Sequence, residues 1–114
     1  MPYIHVSTTE AISKDKADAV KAKLGKAIAL LPGKSETYLM VRLDGDCNMY
    51  FQGTDDAPVA MCEVSVFGKA NHDACNALTA ELCTILSEEL GVPPARCYVK
   101  FVFTDTWGFS GGLF

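Results

Sequence analysis

Twice in this chain a β-rich run leads into a long helical stripe and then into another β-rich run. Over residues 2–7, Ile4 and Val6 alternate with Tyr3, His5 and Ser7, the period-2 pattern of a half-buried strand. Ser13 is a candidate N-cap for a helix over 14–31, with Ala17, Val20, Leu24, Ala27, Ile28 and Leu31 at helical spacing. Pro32-Gly33 ends it. A strand is expected over 38–43, a turn at Asp44-Gly45-Asp46 and a short strand over 49–51. The pattern then repeats: strand over 59–67, Asn71 as N-cap, helix over 73–90, a stop at Gly91 and Pro93-Pro94, strand over 97–103. Crossovers of this length join parallel strands and are right-handed. The expected fold is therefore α/β. A duplicated β-α-β unit makes a four-stranded mixed sheet with two helices on one face, plus short edge strands.

Two helices on one side leave the other sheet face bare, and a bare face calls for cover. Self-association supplies it, with the short strands at 49–51 and 107–109 pairing across subunits. The 114 residues are enough for one domain, 1–114, and too few for two useful cores. A net charge of -4 argues against duplex nucleic acid or an anionic membrane as partner. No apolar run approaches the ~20 residues of a membrane span, and Met1–Val6 lacks a secretory leader pattern. Five cysteines, Cys47, Cys62, Cys75, Cys83 and Cys97, form no C-x-x-C pair, and there are only two histidines. That pattern fits reduced, mostly buried thiols and offers no zinc-ligand spacing.

Several residues carry two readings. Pro2 can simply open an edge strand, where its missing N–H does no harm. With Met1 removed it would instead present a ring-held secondary amine, a general base once burial and nearby cations lower its affinity for a proton. Lys34 is either a solvated helix-end lysine or a cation placed for a carboxylate. Tyr98 and Lys100 share one strand face. A lysine among Cys97, Val99, Phe101 and Phe103 needs either a carboxylate partner from its own chain or a pocket to line. The rings of Tyr3, Tyr38, Phe67, Tyr98, Trp107, Phe109 and Phe114 suit a core, a subunit interface or a pocket wall.

Taken in order, the Met-Pro start, Pro-Gly-Lys at 32–34, Val-Ser-Val-Phe-Gly at 64–68, Pro-Pro-Ala-Arg-Cys-Tyr-Val-Lys at 93–100 and the tail Trp-Gly-Phe-Ser-Gly-Gly-Leu-Phe resemble the macrophage migration inhibitory factor family. That family belongs to the tautomerase superfamily. The resemblance runs from Pro2 to Phe114. It implies a homotrimer whose sheets line a central barrel, with the site at the subunit interface. Pro2 would be the catalytic base and Lys34 the anchor for a carboxylate or keto oxygen. The Phe67 backbone N–H would help hold substrate. Tyr98 would enter from the neighbouring subunit, with Tyr38, Trp107, Phe109 and Phe114 as aromatic walls. Lys100 stands where animal members commonly carry asparagine, and joins the substrate-binding set. Trp107 and Phe109 exchange the places of a smaller residue and the tryptophan. Val59 replaces the first cysteine of a C-x-x-C, leaving only Cys62.

The implied activity is keto–enol tautomerisation of a small aromatic 2-oxo acid. It is of the phenylpyruvate tautomerase or dopachrome isomerase type and needs no metal or organic cofactor. The alternative is a leaderless secreted, cytokine-like signalling protein with a vestigial pocket and a receptor partner. The expected location is the cytoplasm, or outside the cell without a signal peptide.

Overall fold

A computed structural model describes residues Met1–Phe114. Strand β1, Pro2–Thr8, opens the chain with its even-numbered residues buried. Helix α1, Lys14–Ala27, starts where the Ser13 hydroxyl accepts from the Lys16 N–H at 3.2 Å. It tightens into a 3-10 turn over Ile28–Leu30, before Pro32 forbids continuation. Strand β2 is Met40–Asp44 and β3 is Ala60–Phe67. Helix α2, His72–Leu90, is capped by Asn71, which accepts from Ala74 N–H at 2.7 Å. Gly91, at φ +69°, supplies the left-handed residue that stops it. Strand β4 is Cys97–Thr104, and a small hairpin pairs β5, Gly108–Phe109, with β6, Gly112–Leu113.

The sheet order is β2-β1-β3-β4, with β1 parallel to β2, antiparallel to β3, and β3 parallel to β4. Each helix thus spans one parallel pair, as the doubled sequence pattern requires. Ile4, Val6, Cys62, Val64 and Val66 point to the helix side and meet Val20, Leu24, Leu78, Leu82 and Leu86 in one core. Their odd-numbered neighbours form the opposite face. Register aligns Arg42, His5, Glu63 and Lys100 in a row straight across it. This face is more polar than a simple bare sheet. His5 Nε2 meets Asp44 Oδ2 at 2.7 Å, and Arg42 Nε meets the same oxygen at 2.9 Å. The His5 contact, then burial opposed by Arg42, leaves the Asp44 carboxyl below its ordinary range.

Two sequence expectations are corrected. Tyr38 lies in a 3-10 turn over Glu36–Tyr38, which Ser35 caps, and β2 begins only at Met40. Residues 49–51 form no strand. Phe51 and Thr54 close a tight turn through Gln52 and Gly53, both at positive φ. Arg96 clamps that loop through the Pro58, Phe51 and Thr54 carbonyls at 3.0–3.3 Å. Within the chain, Gly108–Phe109 pairs with Gly112–Leu113. Ser110 and Gly111, at φ 53° and 87°, turn β5 back onto β6.

Candidate active site

The site is built at the end of the sheet where the chain begins. Pro2 on β1 is in register with Val66 on β3. This brings Met1 beside Phe67, whose N–H donates to the Met1 carbonyl at 3.1 Å. Lys34 reaches the same point from the loop after α1. Gly33, at φ +80°, turns the backbone, and the Lys34 ammonium donates to the Phe67 carbonyl at 2.9 Å. An ammonium has three N–H donors, so donor capacity remains for an anion. Burial first, then the Lys34 charge and a hydrogen bond from Lys34, hold the chain-terminal amine at Met1 below its ordinary affinity for a proton.

Aromatic rings enclose this end. A cavity of about 570 Å³ is lined by Pro2, Tyr3, Tyr38, Ser65, Trp107 and Phe109, among others. Phe109 meets Tyr38 edge-on at 5.8 Å and stacks on Phe114 at 6.2 Å. Phe114 in turn lies 5.6 Å from Phe67. The structure therefore gathers Pro2, Lys34, Phe67, Tyr38, Trp107, Phe109 and Phe114 around one corner of a single chain. Lys34, Phe67 and Phe114 stand beside the cavity and are not part of its wall.

Tyr98 and Lys100 are elsewhere. Val66 pairs with Phe103, which places Lys100 and Tyr98 three and five residues back along β4 from the Pro2 level. At ~3.3 Å per residue these offsets are about 10 and 17 Å. Tyr98 packs edge-on against Phe51 at 5.0 Å, and Lys100 Nζ faces Glu63 Oε2 at 3.7 Å. Within one chain neither meets Pro2. Sequence reasoning also passed over Met40, Ser65, Val102 and Thr104, which line the cavity. Alternation alone puts Ser65 opposite the core, but only the Tyr3–Ser65 register sets it beside the N-terminus.

A doubled strand–helix–strand chain whose first strand starts at an aromatic-walled pocket, with a lysine beside it, is the architecture of the tautomerase superfamily. The sequence profile described as "Macrophage migration inhibitory factor (MIF)" matches residues 1–114. The homolog from Brugia malayi is 29% identical over 116 residues, spanning 100% of this chain and 99% of its own. Leishmania major MIF2 superimposes with a TM-score of 0.93 at 24% identity, covering 100% of this chain and 97% of that one. The Toxoplasma gondii macrophage migration inhibitory factor gives 0.90 at 26% identity, covering 98% and 99%. The chain belongs to the macrophage migration inhibitory factor family. Its fold supports an isomerase-type activity in general terms, and no helix is long and apolar enough to cross a membrane.

Proposed function

We propose that the protein is a homotrimeric keto–enol tautomerase of aromatic 2-oxo acids, active once Met1 is removed. The observation that carries this reading is the convergence of the Lys34 ammonium, the start of the chain and an aromatic-walled cavity. With Met1 attached, the Pro2 nitrogen is an amide and the Phe67 N–H is occupied by the Met1 carbonyl. Removing Met1 does two things at once. It turns the Pro2 nitrogen into a secondary amine, and it frees the Phe67 N–H as a donor beside it.

The same burial and Lys34 charge that depress the Met1 amine then act on the Pro2 amine and keep it unprotonated as a base. Lys34 pairs with the substrate carboxylate, and the rings hold the aryl group. The Pro2 nitrogen accepts the proton from C3 of the keto acid as the C2–C3 double bond forms. The carbonyl oxygen takes up a proton to complete the enol, and the reverse sequence restores the ketone.

Lys100 and Tyr98 join this site only from a second copy, which is why the trimer is part of the proposal. The test is Pro2→Gly in the Met1-free protein. It keeps a terminal amine but loses the ring, so phenylpyruvate tautomerisation should fall at least tenfold while binding of the acid changes little. Unchanged turnover would remove Pro2 as the base.

A further inference from the structure

Helix α1 carries a buried glycine, Gly25, just before it runs on into the 3-10 turn over Ile28–Leu30. Glycine is among the poorest helix formers, so its presence there calls for a local reason. The reason is space. A Cβ at Gly25 would stand 2.1 Å from Glu36 Oε2 and 2.4 Å from Glu36 Cδ. The Glu36 carboxylate therefore lies against the bare backbone of the helix. Lys21, one turn earlier on the same helix face, brings its Nζ to 3.0 Å from that Oε2.

Glu36 opens the 3-10 turn over Glu36–Tyr38. The Thr37 N–H donates to Ser35 Oγ at 3.4 Å, and the Leu39 N–H donates to the Glu36 carbonyl at 3.1 Å. A displacement of Glu36 is thus carried to Tyr38, two residues on. Tyr38 stands outside the sheet, because the first β1–β2 pair is Tyr3 with Met40. No ladder bond fixes it, yet its ring is a wall of the cavity and meets Phe109 edge-on. Lys34 is held separately. Its N–H donates to the Leu31 carbonyl at 3.0 Å and its ammonium to the Phe67 carbonyl at 2.9 Å.

We propose that Gly25, Lys21 and Glu36 form a latch that holds the Tyr38 ring in the cavity wall, and that this latch sets the preference of the site for aryl acids over small aliphatic ones. Glu36 is a positioning residue, acting through Tyr38. The inference rests on the reading of the site as one for aromatic acids and names the device behind that selectivity. A short aliphatic acid needs Lys34 and the Phe67 N–H, which the latch does not hold. An aryl acid also needs the Tyr38 ring in place.

The experiment uses the Met1-free protein and two acids that have no keto group to enolise, 3-phenylpropanoate and propanoate. NMR titration at the Phe67 amide gives both affinities without any turnover. Gly25→Ala places a methyl where the carboxylate lies and evicts it. The affinity for 3-phenylpropanoate should fall at least about threefold, within the range of an exposed ion pair, and that for propanoate should stay the same. The urea midpoint should not fall, because alanine is the better helix former and the displaced atoms end a flexible side chain.

Glu36→Ala should cause the same loss, and the double variant should lose no more than either single one. Lys21→Arg keeps the charge and should keep the affinity. The latch is overturned if Gly25→Ala and Glu36→Ala bind 3-phenylpropanoate as the unaltered protein does. It is also overturned if both acids lose affinity equally, or if the two losses add. Glu36→Ala, at an exposed position, decides the matter even if Gly25→Ala fails to fold. Failure of the unaltered protein to bind 3-phenylpropanoate would remove the aromatic-acid reading and the latch with it. Turnover unchanged in Pro2→Gly would remove only the base and leave these affinities standing.

Discussion

Lys34 shows how one side chain can join two functions. Its ammonium bonds the Phe67 carbonyl, tying the post-helix loop to β3, and its charge bears on the amine at the start of the chain. A general base works unprotonated, so activity falls as pH drops through its pKa. If the proposed base is Pro2, Lys34 disfavours its protonation and should extend activity to lower pH. In the Met1-free protein, Lys34→Ala should move the acidic limb of the pH–rate profile to higher pH and raise KM for 2-oxo acids about tenfold or more. Lys34→Arg should keep the limb nearer its original place, which separates charge from loop positioning. A limb that stays put in Lys34→Ala would show that the charge does not reach the base. At this scale the sequence was only partly legible. Pro-Gly-Lys marked Lys34, and alternation put Lys100 on the Tyr98 face. That Glu63 is the carboxylate facing Lys100 is a matter of β3–β4 register, which spacing within one strand cannot supply.

Among the elements, those with strong local signals were readable. Ser13 and Asn71 cap their helices as their side chains suggest, and Gly91 ends α2. The elements that went astray are governed by contacts distant in sequence. Arg96 holds the 51–58 loop from 38 to 45 residues away. An apolar triplet such as Met49–Phe51 says nothing of that clamp. Similarly, Ser-Gly at 110–111 makes a hairpin only because both residues take positive φ.

The junction between the β1–α1 loop and the end of β2 is another long-range contact. Asp46 N–H donates to the Glu10 carbonyl at 3.0 Å. A Cβ at Gly45 would stand 2.8 Å from that carbonyl oxygen and 3.1 Å from the Ile12 nitrogen. Backbone on both sides leaves little room to yield. Gly45→Ala should therefore destabilise the protein by about 1–3 kcal/mol, seen as a lower urea midpoint at unchanged m-value. An unaltered midpoint would mean that this junction adapts freely.

For the molecule as a whole, the doubled strand–helix–strand pattern predicted the layer arrangement, because crossover length dictates parallel pairing and the buried stripes dictate the helix side. The polarity of the open face was less visible. Arg42, His5, Glu63 and Lys100 are scattered through the sequence and line up only across four strands. Exposed Met40, Tyr98 and Val102 remain on that face among the charges, a mixture suited to contact between copies. Sedimentation at micromolar concentration should give a trimer, and a stable monomer would leave Tyr98 and Lys100 with no route to Pro2. The central claim, however, concerns the first residue of the working enzyme. The direct measurement compares phenylpyruvate tautomerisation by protein whose intact mass shows Met1 removed with that of protein carrying an uncleavable extension before Pro2. Loss of a general base predicts a rate lower by about 10²–10⁴-fold in the extended protein, with the trimer intact. Equal rates in the two would contradict the account, because an amide nitrogen at Pro2 cannot act as the base.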